Sequence, residues 1–282
     1  MRVRVRDVHL FFDVEGAKLE PAGPLMREKP TLLLLHGGPG FDHSLFKPAF
    51  AKFQDGFQVV YLDHRGNGRS DRGSAADWRL DTWADDVQVF CEVLGIEKPI
   101  VLGVSFGGIV AQAYATRHPA HPRALVLCST TAKVRPERVL ATFERLGGSR
   151  ARRAAAAWLD DPSAESVADY LRDCLPLYKR SRMDPDVMQR AVVDLETTIA
   201  FFRGEWRTFD FLPVLSRVRC PTLVMSGDAD PITPLEDGEE LAAALPASVL
   251  RFERFAGCGH PVYEDDEAAC FRTIKEFLAR HA

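Results

Sequence analysis

Ile100-Val101-Leu102-Gly103-Val104-Ser105-Phe106-Gly107-Gly108 is the stretch on which the fold turns. An apolar run of strand length ends in a G-x-S-x-G pentapeptide, and residues Phe106 to His118 continue at helical spacing until Pro119. A strand that turns straight into a helix forces the residue between them into a strained backbone, and side chains on its neighbours would collide. The flanking glycines meet that demand. The Ser105 hydroxyl is thereby pushed out above the sheet.

Leu32 to Leu35 and Val59 to Leu62 are equally short and nearly continuously apolar, as expected for parallel strands covered on both faces. Between the second of these and Ile100, residues Leu80, Trp83, Ala84, Val87, Phe90, Cys91 and Leu94 recur at helical spacing, and Gly95 follows as a stop. This β-α-β rhythm predicts an α/β chain with a mostly parallel central sheet flanked by helices. Val3, Val5, Val8, Leu10, Phe12 and Val14 alternate instead, which predicts an antiparallel opening. After a strand from Ala124 to Cys128 the rhythm stops. Residues 133–213 show only helix-like patterns, including Arg150 to Trp158 and the spacing Val187, Val192, Leu195, Ile199, Phe202. They read as a helical cap inserted into a core domain of residues 1–132 and 214–282. Strands return at Thr222 to Ser226 and Val249 to Phe255, with helices near Glu236 to Leu245 and Ala268 to Arg280.

A chain of 282 residues, 46% hydrophobic, can build one large core. Its formal charge of -4, with no Lys/Arg run, gives no attraction for a phosphate backbone, so nucleic acid is excluded as a partner. No segment approaches the ~20 apolar residues that span a bilayer, and MRVRVRDVHLFFDVEG lacks the apolar stretch of a signal peptide. The expectation is a cytoplasmic protein without a membrane partner. The six cysteines show no CxxC pair or zinc-like spacing and predict packed thiols, with no disulfide, metal or cofactor.

A serine hydroxyl is a poor nucleophile until a base takes its proton and a carboxylate holds that base in the right tautomer. Of eight histidines, His260 alone lies in a late loop, FAGCGHPVYED, between a final strand and a final helix. It is the candidate base. For the acid, the strand TLVMSG runs into Asp228 and Asp230 at the carboxyl end of a parallel strand, where catalytic groups collect. Spacing alone does not choose between the two.

These residues resemble the α/β-hydrolases, and among them the proline iminopeptidases and related serine hydrolases. Two motifs carry the narrower resemblance: His36-Gly37-Gly38-Pro39-Gly40, which looks like their HGGPG, and Asp63-His64-Arg65-Gly66-Asn67-Gly68-Arg69-Ser70, similar to their D-Q-R-G-x-G-x-S with His64 in place of Gln. The resemblance implies the chain order Ser105, acid, His260, favours Asp230 through its G-x-x-D pattern, and leaves Asp228 to brace the loop. It implies the backbone N–H groups of Gly38 and Phe106 as donors to a tetrahedral oxyanion. His36 and the loop from Asp63 to Ser70 are expected to be structural.

The implied activity is acyl transfer to water without a cofactor, on a small-molecule or short-peptide substrate, with release of an N-terminal proline first and carboxylic ester or lactone hydrolysis as the alternative. The elbow GVSFGG departs from the G-G-S-W-G-S common in the peptidases and weakens that first choice. A peptidase must also hold the positive amino end of its substrate, and Glu196 and Glu205 of the cap are the candidates. The cap aromatics Trp158, Tyr170, Tyr178, Phe201, Phe202, Trp206, Phe209 and Phe211 are read first as packing and second as pocket lining. Aspartate-nucleophile relatives are excluded by the serine at position 105. Carbon-carbon bond hydrolysis and a ligand-sensing role on the same scaffold stand as further alternatives.

Overall fold

The computed structural model describes residues 1–181 and 185–281. The strands are β1 (Arg2–Val5), β2 (Val8–Glu15), β3 (Leu19–Ala22), β4 (Leu25–Glu28), β5 (Thr31–Leu35), β6 (Gln58–Leu62), β7 (Ile100–Val104), β8 (Ala124–Cys128), β9 (Thr222–Gly227) and β10 (Leu250–Phe255). Among the described residues eight of them form one sheet in the order β1-β2-β6-β5-β7-β8-β9-β10. β1 and β2 pair antiparallel, β2 joins β6 antiparallel, and β6 to β10 are parallel. Every residue of β5, β7, β8 and β9 is buried, the two-sided burial their apolar runs require. Leu33, Leu35, Val60 and Leu62 face one hydrophobic layer, while Leu32, Leu34, Val59 and Tyr61 face the other. The pair β3–β4 stands apart as a two-stranded hairpin. It has no buried face, so it left no apolar alternation for the sequence to show.

The helices are α1 (Leu80–Val93), α2 (Phe106–Arg117), α3 (Pro136–Asp160), α4 (Ala164–Asp173), α5 (Pro185–Arg190), α6 (Leu195–Arg203), α7 (Leu235–Ala244), α8 (Val262–Asp265) and α9 (Glu267–His281). Phe106 to Thr116 are all buried, as befits a helix enclosed on every side. Between β8 and β9 the described chain forms helices and short turns, with a single bridge, Lys133 to Asp210, across the base. α3 is two segments that meet at Gly148, whose φ of 70° and ψ of -170° break the helix. The apolar spacing from Val187 to Phe202 is likewise interrupted between α5 and α6. There Asp194 leaves helical geometry to accept the Thr197 N–H at 2.8 Å and cap α6. No helix among the described residues is long and apolar enough to cross a membrane.

β5 and β7 are neighbours, yet the chain leaves β5 for β6 on one side and crosses to β7 on the other. The loops at the carboxyl ends of these two strands, His36–Gly40 and Ser105, therefore meet at the switch point where open α/β sheets bind ligands.

Candidate active site

Ser105 joins β7 to α2 with φ 56° and ψ -119°. Such a backbone costs a non-glycine residue on the order of 1–3 kcal/mol and persists only where its surroundings fix it. Here the Ser105 N–H donates to Cys128 O at 3.0 Å, and the Ser105 carbonyl accepts Thr130 Oγ1 at 2.8 Å. A Cβ on Gly107 would lie 2.0 Å from Leu35 O, so glycine is what lets α2 begin against the end of β5.

His260 follows β10, and its Nδ1 lies 2.8 Å from Asp230 Oδ2. Asp230 is buried, and its charge is met by the N–H groups of Ile232 and Thr233, both at 2.9 Å, and by Thr233 Oγ1 at 2.7 Å. With Nδ1–H donated to a carboxylate, Nε2 carries the ring's free lone pair and can accept a proton. Asp228 is engaged elsewhere: it accepts the Gly257 N–H at 2.7 Å and pairs with Arg254 at 3.0 Å. The geometry thus separates the two carboxylates that spacing left open.

Ser105, His260, Gly38 and Phe106 line one cavity of about 290 Å³. Phe106 is the first residue of α2, so its N–H belongs to the set that has no partner within the helix. The stretch between β8 and β9 contributes Trp158, Tyr170, Tyr178, Phe201, Phe202 and Trp206 to its lining. Phe209 and Phe211 are not among the lining residues. The lining aromatics also pack on the core: Phe201 meets the ring of Phe106 at 5.1 Å, and Phe106 meets Trp83 at 4.9 Å.

Neither Glu196 nor Glu205 joins them. Glu205 turns to α1, where its Oε2 accepts the Leu80 N–H and Oε1 faces Arg79, and Glu196 is exposed on α6. The structure does not place these two, expected to hold a substrate's amino end, along the cavity. The ionic groups that do line the cavity are Lys179 and Glu264, which pair with each other. No signal for this pair is legible in the sequence, because the partners are 85 residues apart and charged residues in loops are ordinarily solvated.

The loop from Asp63 to Ser70 acts as a brace. Asn67 Oδ1 accepts the Gly40 N–H at 2.6 Å, and Asp63 accepts the N–H of His43 and of Arg69, both at 2.9 Å. Arg65, 1% exposed, pairs with Asp86 and Asp7. His36 accepts the His64 N–H at Nε2 and pairs through Nδ1 with Gly37 O, and burial lowers the pKa of both histidines. Asp42, His43 and Asp63 form the one group among the described residues near enough to share a metal ion. Their oxygens are taken by Ser44, Arg69 and His43, which makes the group a hydrogen-bond network first. Burial pushes the Cys258 thiol up to about 11, away from reactivity. A larger open groove, about 630 Å³ beside Pro136, Leu140 and Arg207, contains none of these groups.

The sequence pattern of the alpha/beta hydrolase fold matches residues 30–267, and the chain belongs to that family. It is 27% identical over 282 aligned positions to a proline iminopeptidase of Lactobacillus helveticus, a match covering 90% of this chain and 91% of that protein. Among solved structures, a proline iminopeptidase from Mycobacterium smegmatis superimposes with a TM-score of 0.77 at 23% identity, covering 100% of this chain and 98% of the other. The enol-lactonase from Burkholderia xenovorans gives 0.72 at 22%, with 99% and 100% covered. At these identities the structural likeness carries the fold alone. The chain is a hydrolase of this fold, as its sequence predicts.

Proposed function

We propose that the chain is a serine hydrolase working through an acyl-enzyme, with Ser105 as nucleophile, His260 as base, Asp230 as its partner, and the N–H groups of Gly38 and Phe106 as the oxyanion hole. The observation that carries this reading is His260 held through Nδ1 by a fully bonded Asp230 at 2.8 Å, in the cavity that Ser105 also lines. Removal of the Ser105 proton by His260 Nε2, attack on a carbonyl, collapse with loss of the alcohol or amine, and hydrolysis of the acyl-enzyme then follow. No step calls for a cofactor. The segment 133–213 serves as the cap over the nucleophile on the core of 1–132 and 214–282. Residues 182–184 of it lie outside the described residues.

The lining favours a small uncharged ester or lactone. The cavity, about 290 Å³, is at the small end of the range of small-molecule sites. Its walls are aromatic and aliphatic, and Lys179 cancels the charge of Glu264. A second reading, release of an N-terminal proline, is favoured by the likeness to the Lactobacillus protein, with Glu264 rather than Glu196 or Glu205 left to meet the ammonium.

The test is hydrolysis of a short-chain aryl ester and of a prolyl arylamide, side by side, by wild type and Ser105→Ala. Ester turnover that vanishes with the serine supports the first reading, and prolyl-arylamide turnover that vanishes with it supports the second. Turnover that survives Ser105→Ala overturns both.

A further inference from the structure

His260 has its side chain fixed by the core but its backbone fixed by the insertion. Its N–H donates to Tyr178 O at 2.7 Å, and the Tyr178 ring stands edge-on to the imidazole at 5.4 Å between centroids. The close approach depends on the preceding residue, since a Cβ on Gly259 would fall 2.2 Å from Tyr178 O. A bond from Nδ1 to Asp230 sets one end of the ring. Where Nε2 points depends also on where residue 260 sits, and that is decided by the segment 178–181.

Asp265 at the end of α8 binds both sides of this junction. Its Oδ2 accepts the Gly259 N–H at 2.7 Å, while Oδ1 accepts the Ser181 N–H and Oγ, both at 2.7 Å. The Arg180 N–H lies 3.0 Å from each oxygen. Burial by itself raises the Asp265 pKa, and the hydrogen bonds from Ser181, Gly259 and Arg180 outweigh it, holding the carboxyl below its ordinary value. Lys179, between Tyr178 and Arg180, pairs with the adjacent Glu264. Residues 178 to 181 are thus attached one after another to the loop that carries His260.

We propose that Asp265 is a positioning residue that couples the seating of the helical insertion to the placement of His260. This rests on the reading of Ser105 and His260 as nucleophile and base. A carboxylate bonded to both segments makes the histidine's register a property of the closed insertion. Loosening it lets Nε2 drift from the nucleophile, and a misplacement of about 1 Å lowers a rate by about a hundredfold.

The experiment uses the full chain and an alkyl fluorophosphonate. Ser105 Oγ attacks phosphorus, fluoride leaves, and the serine proton passes to the base, so the labelling rate reports serine activation independently of the natural substrate. Second-order labelling rates are measured from pH 5 to 9 for wild type, Asp265→Asn, Asp265→Ala and Ser181→Ala, with melting curves to establish folding. The expected result is a tenfold to hundredfold loss for Asp265→Asn and a shifted pH midpoint, with Ser181→Ala losing about threefold. Asp265 variants that melt as folded proteins and label at the wild-type rate and midpoint overturn the inference. Should neither fold, Ser181→Ala decides in the same way. Labelling absent from wild type, or retained by Ser105→Ala, defeats instead the assignment of Ser105.

Discussion

Glu205, between α6 and β9, accepts the N–H of Leu80, the first residue of α1, across 125 positions of sequence. Arg79 at the N-cap offers no side-chain acceptor of its own, so the helix that packs on α2 takes its cap from a distant carboxylate. Glu205→Ala is therefore expected to lower stability by about 1 kcal/mol, the usual worth of a lost N-cap, and to leave KM unchanged. Glu196→Ala is expected to stay within about 0.5 kcal/mol. Melting curves with KM for ester and arylamide check this. A large rise in KM for either variant returns that carboxylate to the substrate.

Gly40 is predicted to tolerate no side chain. Its φ is 88°, and a Cβ would lie 2.0 Å from Thr198 Oγ1 and 2.3 Å from Asp194 O of the insertion. Its N–H and carbonyl are both engaged, by Asn67 and by the Asp194 N–H at 2.6 Å. Gly40→Ala displaces the loop that carries Gly38. The expected outcome is a drop of more than about tenfold in kcat/KM together with a loss of about 1–3 kcal/mol, read from steady-state kinetics and denaturant unfolding.

Asp237 in α7 is 1% exposed, and only one of its oxygens has a hydrogen-bond partner among the described residues, Arg138 at 2.7 Å. Burial, partly offset by Arg138 and reinforced by Glu240 and Asp230, pushes its carboxyl up to about 6. The folded state then holds this proton more tightly than the unfolded state, so stability falls as pH rises from about 4 through about 6. The stability lost across that range is roughly 3 kcal/mol. Asp237→Asn keeps the acceptor for Arg138 and removes the titration. Denaturant midpoints at pH 4 and 7.5 are expected to show the variant gaining on wild type at the higher pH, and an equal difference at both sinks the prediction.

Glu264→Gln leaves the Lys179 ammonium unpaired in a cavity where its side chain is 10% exposed. The expected outcome is a five- to tenfold higher KM for a neutral aryl ester, about 1–1.4 kcal/mol, and new turnover of an ester bearing a carboxylate on its acyl chain. Kinetics with the paired esters check it, and an unchanged preference overturns the charge-cancelling role.

The parallel strands, the elbow at Ser105 and the late position of His260 are legible in the sequence because each depends on local demands. A buried strand needs a short apolar run, a strand-to-helix turn needs glycine, and the family order fixes which loop bears which group. Where a helix is interrupted for the sake of a distant partner, the signal fails. The break before α6 exists because Asp194 binds Gly40 as well as its own helix, and the apolar spacing on either side of it continues unchanged.

Sequence alone reaches the α/β-hydrolase fold, the order along the chain of the strands in the main sheet, and the candidates for nucleophile, base and acid, with Asp228 and Asp230 left unseparated by spacing. Tertiary structure alone decided which of two neighbouring carboxylates meets His260, that Glu205 caps a helix, and that Lys179 and Glu264 share the cavity. Local pattern is written in adjacent residues. A pairing across 85 or 125 positions depends on how the stretch between β8 and β9 packs on the rest of the chain, and no nearby residue records it.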